Sequence, residues 1–243
     1  MYDLPDAQYI VSMRGKQDST PIKHVLNTQY NDFKEQITSI FCFAEYTPLY
    51  GGRTFGSSNL SNDDVEYLYS NNIGIRLPLT NLFPTDDMYT RSQEVLKKYH
   101  RAGNSIVLSN DYLLSRIRED FPMYNIEYSV IADCRPSDVD SKLELFDTVV
   151  LHGRFNKPAI LENIVKKDRV ILFEGMRCAA NCPDKVCYKY FSQVNSNSKI
   201  TYPTCSQHYI PRPNLGFVSY DLASLYNLGF RQFKVLPRNG NIV

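Results

Sequence analysis

The stretch that decides the fold is residues 148–178, TVVLHGRFNKPAILENIVKKDRVILFEGMRC. It begins with a short apolar run at 148–152 and ends with a second one at 170–174. Between them Asn156 and Pro158 mark the start of a helical segment, because Asn is a good N-cap and Pro fits the first turn. Two buried strands joined by a helix form a β-α-β unit with parallel strands.

The same alternation extends over most of the chain. Ser61 with Asp64, and Thr85, mark two further helix starts by their capping chemistry. Eight runs rich in Val, Ile and Phe alternate with helical segments, as buried parallel strands should. They lie at 40–45, 73–79, 105–109, 126–132, 148–152, 170–174, 215–218 (the weakest) and 230–236. This pattern predicts a single-domain α/β fold, an eight-stranded (β/α) barrel of the TIM-barrel type.

An open, doubly wound sheet is the alternative architecture. Its nucleotide-binding forms carry G-x-G-x-x-G or G-x-x-x-x-G-K-[ST] after a strand, and the sequence contains neither. In the barrel interpretation, residues 1–36 form an N-terminal cover segment and residues 37–243 form the barrel. A cysteine-rich loop at 176–210 then projects from that barrel.

Composition excludes several functional classes. The chain has 243 residues with 27 Lys and Arg against 26 Asp and Glu, a formal net charge of +1. This charge excludes a strongly basic nucleic-acid-binding protein. A local basic patch could still bind nucleic acid, but the net charge gives no support for such a patch. No apolar run approaches the ~18 residues of a membrane span, and the N-terminus is not a secretory signal. These features predict a cytoplasmic protein.

Four of the six cysteines are clustered. Cys178, Cys182, Cys187 and Cys205 follow the 170–174 strand with the spacing C-x3-C-x4-C-x17-C. In a reducing compartment such clusters are more often metal ligands than disulfides. Four thiolates suit a [4Fe–4S] cluster or structural zinc. Zinc ribbons and fingers usually carry C-x2-C pairs, so the absence of such pairs favours the [4Fe–4S] cluster over zinc. Zinc and metal-free thiols remain alternatives. The isolated Cys42 and Cys134 are not expected to be ligands.

Two stretches resemble the collagenase-like peptidase family U-32. They are residues 146–190 and the C-terminal FVSYDLASLYNLGFRQFKVLPR at 217–238. An E-G-x-x-C-x3-C-P string is matched by Glu174, Gly175, Cys178, Cys182 and Pro183. A G-(I/F)-x-x-F-K-(I/V)-x-x-R string is matched by Gly229, Phe230, Phe233, Lys234, Val235 and Arg238.

The resemblance implies a β/α barrel that binds a [4Fe–4S] cluster through four cysteines. It also implies an enzyme or enzyme subunit of oxygen-independent hydroxylation, with prephenate as oxygen donor and a hetero- or homodimeric assembly. A zinc-stabilised barrel of other activity and a non-catalytic iron–sulfur partner subunit stay open. Peptidase activity has no support, because the sequence shows neither a Ser–His–Asp order nor H-E-x-x-H.

The remaining candidates lie at strand ends, where barrel enzymes carry their active sites. The predicted catalytic residues are Glu45, His152, Arg154 and Glu174, and the predicted substrate-binding residues are Arg76, Lys234 and Arg238. Converging cations would favour an anionic small molecule, since Arg binds carboxylates in a bidentate manner. Alternatively, these charges pair with one another inside the barrel, and His152 is satisfied by backbone groups.

Overall fold

A computed structural model describes residues 4–13, 16–53, 55, 60–180, 182, 185–196, 205 and 216–236. Eight strands close into a barrel in the order β1-β2-β3-β4-β5-β6-β7-β10, and every neighbouring pair is parallel. The barrel strands are β1 Gln8–Ser12, β2 Ile37–Phe41, β3 Gly74–Leu77, β4 Ser105–Leu108, β5 Asn125–Tyr128, β6 Thr148–Val150, β7 Val170–Phe173 and β10 Gln232–Val235. The predicted (β/α) barrel is therefore confirmed.

Helices occupy the connections between successive strands. They are α1 Ile22–Gln29, α2 Asn62–Ser70, α3 Asp86–Lys98, α4 Leu114–Asp120, α5 Val139–Lys142, α6 Pro158–Leu161, α7 Cys187–Asn195 and α8 Leu222–Asn227. The predicted caps are confirmed at two helices: Ser61 and Asp64 form a capping box on α2, and Thr85 caps α3. In the part of the chain that is described, no helix is long and apolar enough to cross a membrane.

The N-terminal segment differs from the expected cover. Residues Gln8–Ser12 form the first barrel strand, which pairs with β10 on one side and β2 on the other. The barrel therefore does not begin at residue 37. The sequence of β1, QYIVS, has only three consecutive apolar residues between the polar Gln8 and Ser12, which is a weak strand pattern.

The expected strand at 215–218 is also absent from the barrel. Val218 belongs to a two-residue strand, β9 (Val218–Ser219), which pairs antiparallel with β8 (Gly175–Met176). Leu215 lies outside the described residues. This short antiparallel pair ties the segment after β7 to the segment before α8, so both lie at the carboxyl end of the barrel.

The core has an outer and an inner part. Strand residues alternate between the two faces of the barrel wall, so Tyr9 and Val11 pack outward in the main core while Ile10 belongs to a separate cluster. This inner cluster consists of Ile10, Val150, Ile171, Phe173 and Met176. Met176 comes from β8, beyond the end of β7, so the segment that carries the cysteines contributes to the interior packing.

Candidate metal centre and active site

Three of the four clustered cysteines lie on one segment that follows β7 and β8. We call residues 178–196 the cysteine segment. Cys178 starts a 3₁₀ turn directly after β8, Cys187 starts α7, and Cys182 lies between the two. Together with Cys205, all three side chains are partly exposed. The segment therefore starts at the face of the barrel where active sites of this fold are built.

The turn that carries Cys178 also covers the inner core. Ala179 and Ala180 pack against the inner apolar cluster of the barrel, as does Tyr220. Gly153, just after β6, donates its amide to Met176 Sδ at 3.2 Å. A Cβ atom at Gly153 would lie 2.3 Å from the Tyr220 hydroxyl, so only glycine permits this close approach. The start of the cysteine segment is thus held by packing from several strand ends.

His152 joins the end of β6 to the same turn. Its Nδ1 accepts the backbone amide of Arg154 at 3.1 Å, and its Nε2 lies 3.1 Å from the carbonyl oxygen of Ala179. Because Nδ1 accepts, the proton resides on Nε2, which donates to Ala179. Burial, followed by the positive charge of Lys185, lowers the pKa of His152 to about 4. In this geometry both ring nitrogens of a neutral His152 are used by the backbone.

Asp133, just beyond β5, bridges two cations at the mouth of the barrel. Its Oδ2 lies 2.8 Å from the Arg154 guanidinium and its Oδ1 lies 3.0 Å from Lys185 Nζ. The backbone amide of Lys185 in turn donates to Cys182 Sγ at 3.3 Å. Burial would raise the pKa of Asp133, but hydrogen bonds and charges from both cations outweigh it and lower the pKa. Arg154 therefore belongs to an ion-pair network that reaches the cysteine segment.

The far end of the cysteine segment is docked by Asn195, the last residue of α7. Its side-chain amide donates to the carbonyl oxygens of Tyr50 at 3.0 Å and Arg53 at 2.8 Å. Its Oδ1 accepts the amide of Phe55 at 2.9 Å. These three partners lie in the loop after β2. A single buried asparagine thus fixes the C-terminal end of α7 to the loop after β2.

A second asparagine, Asn81 in the loop after β3, holds the same helix. Its amide donates to the carbonyl oxygen of Ser192 at 3.0 Å, to Ser196 Oγ at 2.9 Å and to the carbonyl oxygen of Pro48 at 2.8 Å. Ser192 Oγ accepts the amide of Leu82 at 3.1 Å. The cysteine segment therefore spans the mouth from β7 to the loops after β2 and β3.

Arg76 and Lys234 lie together inside the barrel, below the cysteine segment. Both pair with Glu127 of β5: the Arg76 guanidinium contacts Glu127 Oε2, and Lys234 Nζ lies 3.3 Å from Oε1. Arg76 also donates to Ser39 Oγ at 2.7 Å, and Lys234 stands 4.5 Å above the ring of Phe41. The charges predicted to bind substrate thus share a buried carboxylate, which corresponds to the internal-pairing alternative.

The other predicted acids, Glu45 and Glu174, have different surroundings. Glu45 is partly exposed and pairs with Lys98, and its Oε1 accepts the Tyr99 hydroxyl at 3.2 Å. Glu174 is buried directly after β7, where its amide donates to the carbonyl oxygen of Lys234 at 3.0 Å. Burial and then the charge of Glu174 raise the pKa of Tyr9 to about 12. Arg238 lies outside the described residues.

Sequence reasoning assigned no role to four residues that organise the site: Glu127, Asp133, Lys185 and Asn195. Glu127 had a usable signal, because a lone acid within the apolar run at 126–132 needs a buried partner. Asp133 had a weaker one, since it follows that strand directly. Lys185 and Asn195 act through tertiary contacts that no local pattern indicates.

The four clustered cysteines fit an iron–sulfur cluster by their donor chemistry. All are thiols outside disulfides, and one already accepts an N–H···S hydrogen bond, an interaction that tunes such clusters. Among the described residues, however, no three His, Cys, Asp or Glu side chains are arranged closely enough to hold a metal ion. Binding a cluster would therefore require the thiols to move together.

Cys42 and Cys134 are poorer candidates than the clustered four. Both are buried. Burial raises the pKa of Cys42 to about 12 and that of Cys134 to about 11. Because the thiolate is the metal-binding form, both positions disfavour coordination. That they are not ligands stays a prediction, and this geometry supports it.

Comparisons with known proteins bear on the fold. No protein-family model matches the chain, and no curated protein matches it. The solved structure of the U32 peptidase Mk0906 is similar, with a TM-score of 0.62 over 96% of this chain and 93% of that chain, at 13% sequence identity. At this identity the likeness concerns architecture. The chain therefore shares its closed β/α barrel with a U32 peptidase structure.

Proposed function

We propose that this chain is an iron–sulfur protein that holds one [4Fe–4S] cluster through Cys178, Cys182, Cys187 and Cys205. The observation that carries the proposal is the placement of the cysteine segment across the active-site face, anchored from the ends of several strands. When bound, the cluster would supply electron transfer. With a cysteine on each iron, no iron would be open to substrate.

The first test is metal content with matched variants. Anaerobically purified protein should contain iron and acid-labile sulfide in about a 1:1 ratio, as a [4Fe–4S] cluster requires. Cys182→Ser should lose most of this iron, whereas Cys42→Ser should retain it. Stoichiometric zinc in place of iron would instead support a zinc-stabilised barrel. Full iron occupancy in Cys182→Ser would remove that residue from the ligand set.

We further propose that the protein takes part in oxygen-independent hydroxylation, as an enzyme or as the iron–sulfur subunit of one. The proposal rests on the motif resemblance to the U-32 family and on the barrel shared with a U32 peptidase structure. A non-catalytic partner subunit is the second candidate, since the cations at the mouth and in the barrel are paired internally. Electron transfer or assembly with a partner would then be the role of the cluster.

The proposed ligand is an anionic small molecule, a dicarboxylate such as prephenate. Inside the barrel Arg76 and Lys234 surround the single carboxylate of Glu127, which leaves one positive charge in excess within this group. Calorimetric titration of cluster-loaded protein with prephenate and with succinate should show millimolar or tighter binding. Arg76→Met should weaken it by about 1.5–3 kcal/mol, the range for hydrogen bonds to charged groups. Absence of heat at millimolar prephenate would contradict the proposed ligand.

A further inference from the structure

Asp133 has an unusual position for a residue that makes two ion pairs. It ends a 3₁₀ turn, Val130–Ala132, in the left-handed region with φ of +58°, and its amide donates to the carbonyl oxygen of Val130 at 3.2 Å. Asp and Asn tolerate this conformation better than most residues. The backbone therefore fixes the direction in which the carboxylate leaves the end of β5.

Each carboxylate oxygen of Asp133 has its own cation. Oδ2 contacts Arg154, which follows β6, and Oδ1 contacts Lys185 of the cysteine segment. Arg154 is anchored in addition by its backbone amide, which donates to His152. Asp133 thus connects the cysteine segment to the segment that follows β6.

Lys185 transmits this connection to a cysteine. Its side chain is largely buried, and its backbone is also left-handed, with φ of +48°. The same residue donates its amide to Cys182 Sγ at 3.3 Å. Side chain and amide belong to the same residue, so the ion pair restrains the hydrogen bond to sulfur.

We propose that Asp133 is a positioning residue that fixes Lys185 and, through its amide, the sulfur of Cys182. The consequence for cofactor retention rests on the proposed iron–sulfur function, whereas the consequence for Lys185 does not. Outer partners of metal ligands commonly change metal affinity by about 10–100-fold when they are removed.

The test uses Asp133→Asn, which removes the charge but keeps a residue suited to the left-handed backbone. In metal-free protein, exchange of the Lys185 amide should become about 5–10-fold faster, the scale of one net hydrogen bond. In cluster-loaded protein, iron loss to a chelator should become about 10–100-fold faster. The control is Asp87→Asn, which breaks the exposed pair with Arg91 on α3 and should change neither rate.

A second variant separates positioning from a general loss of stability. Lys185→Gly keeps the amide and suits the positive φ, but lacks the amine, so it should reproduce both effects. The double variant should be no worse than either single variant, because the two residues act through one contact. Additive effects, or an unchanged Lys185 amide in Asp133→Asn, would overturn the proposal. If the protein binds no iron, the proposed function fails, and amide exchange alone decides the role of Asp133.

Discussion

Glu127 is paired with two cations inside the barrel, Arg76 and Lys234. Burial alone would raise its pKa, but the charges of Lys234 and Arg76 outweigh burial and hold the pKa below the ordinary value of 4.5. The same burial lowers the pKa of Lys234, with the charge of Glu127 acting in the opposite direction. Glu127 is therefore kept charged by its two partners, and its loss would leave two buried cations without a counter-charge.

We predict that Glu127→Gln destabilises the protein by about 3–5 kcal/mol, the usual effect of removing one partner of a buried ion pair. Urea unfolding monitored by circular dichroism measures this change. Asp87→Asn, which breaks an exposed pair at the start of α3, should cost at most about 1 kcal/mol. A Glu127→Gln variant as stable as the wild type would contradict a stabilising role for the ion pairs of Glu127.

The same residue predicts a pH dependence with a definite sign. Since the folded-state pKa of Glu127 is lowered, its stabilising contribution is complete above its ordinary value of 4.5 and is lost as pH falls through the lower folded-state pKa. The wild-type protein should therefore lose stability at acidic pH more steeply than Glu127→Gln does. Parallel unfolding curves of the two proteins between pH 3 and pH 7 provide the comparison.

At the scale of elements, α7 is held to the barrel by few but well-placed contacts. Asn195 is 2% exposed and satisfies two carbonyl oxygens and one amide of the loop after β2. We predict that Asn195→Ala costs about 1–3 kcal/mol, because it leaves buried backbone groups unsatisfied. Limited proteolysis should then cut within residues 187–196 faster than in wild type.

Asn227→Ala is the matched control for this prediction. Asn227 is the last residue of α8, as Asn195 is of α7, but its side chain is exposed. Equal cleavage rates in the two variants would show that helix fraying, rather than docking by Asn195, controls access to α7.

The predictability of elements followed their local signals. The strands with continuous apolar runs, such as β4 and β7, were predicted from sequence, because burial on both sides leaves a plain pattern. β1 was missed, since QYIVS is short and places Ser12 and Gln8 at its ends. The run at 215–218 was misplaced in the barrel because the two-residue strand β9 forms through tertiary pairing with β8.

The site was predictable in its chemistry and much less so in its contacts. Cysteine spacing located the segment, and strand ends located His152 and Arg154 beside it. The partners of Arg76 and Lys234 required the barrel to bring Glu127 next to them, across 51 and 107 residues of sequence. Such long-range pairings depend on closure of the sheet and have no counterpart in local sequence.

At the scale of the whole molecule, the barrel and the cysteine segment differ in how they are stabilised. The barrel wall is closed by parallel pairing on all eight strands and by a large buried core. The described part of the cysteine segment is held by the packing of its first turn, by the ion pair of Lys185 with Asp133 and by two docking asparagines. Regions with fewer apolar contacts open at lower free energy than the core. We therefore expect that the cysteine segment can rearrange while the barrel stays folded.

This difference leads to a prediction for metal loading. Bringing the four cysteines together must order the segment, since metal binding supplies folding free energy to the ligands it joins. Hydrogen exchange of cluster-loaded protein should therefore show strong additional protection at residues 178–196 and little change in β1 to β4. Removal of the cluster by a chelator should reverse the protection without unfolding the barrel. Cys182→Ser should resemble the metal-free state, and Cys42→Ser the loaded one. Uniform protection across the barrel would show instead that the barrel and the cysteine segment form one cooperative unit, to which metal binding is coupled as a whole.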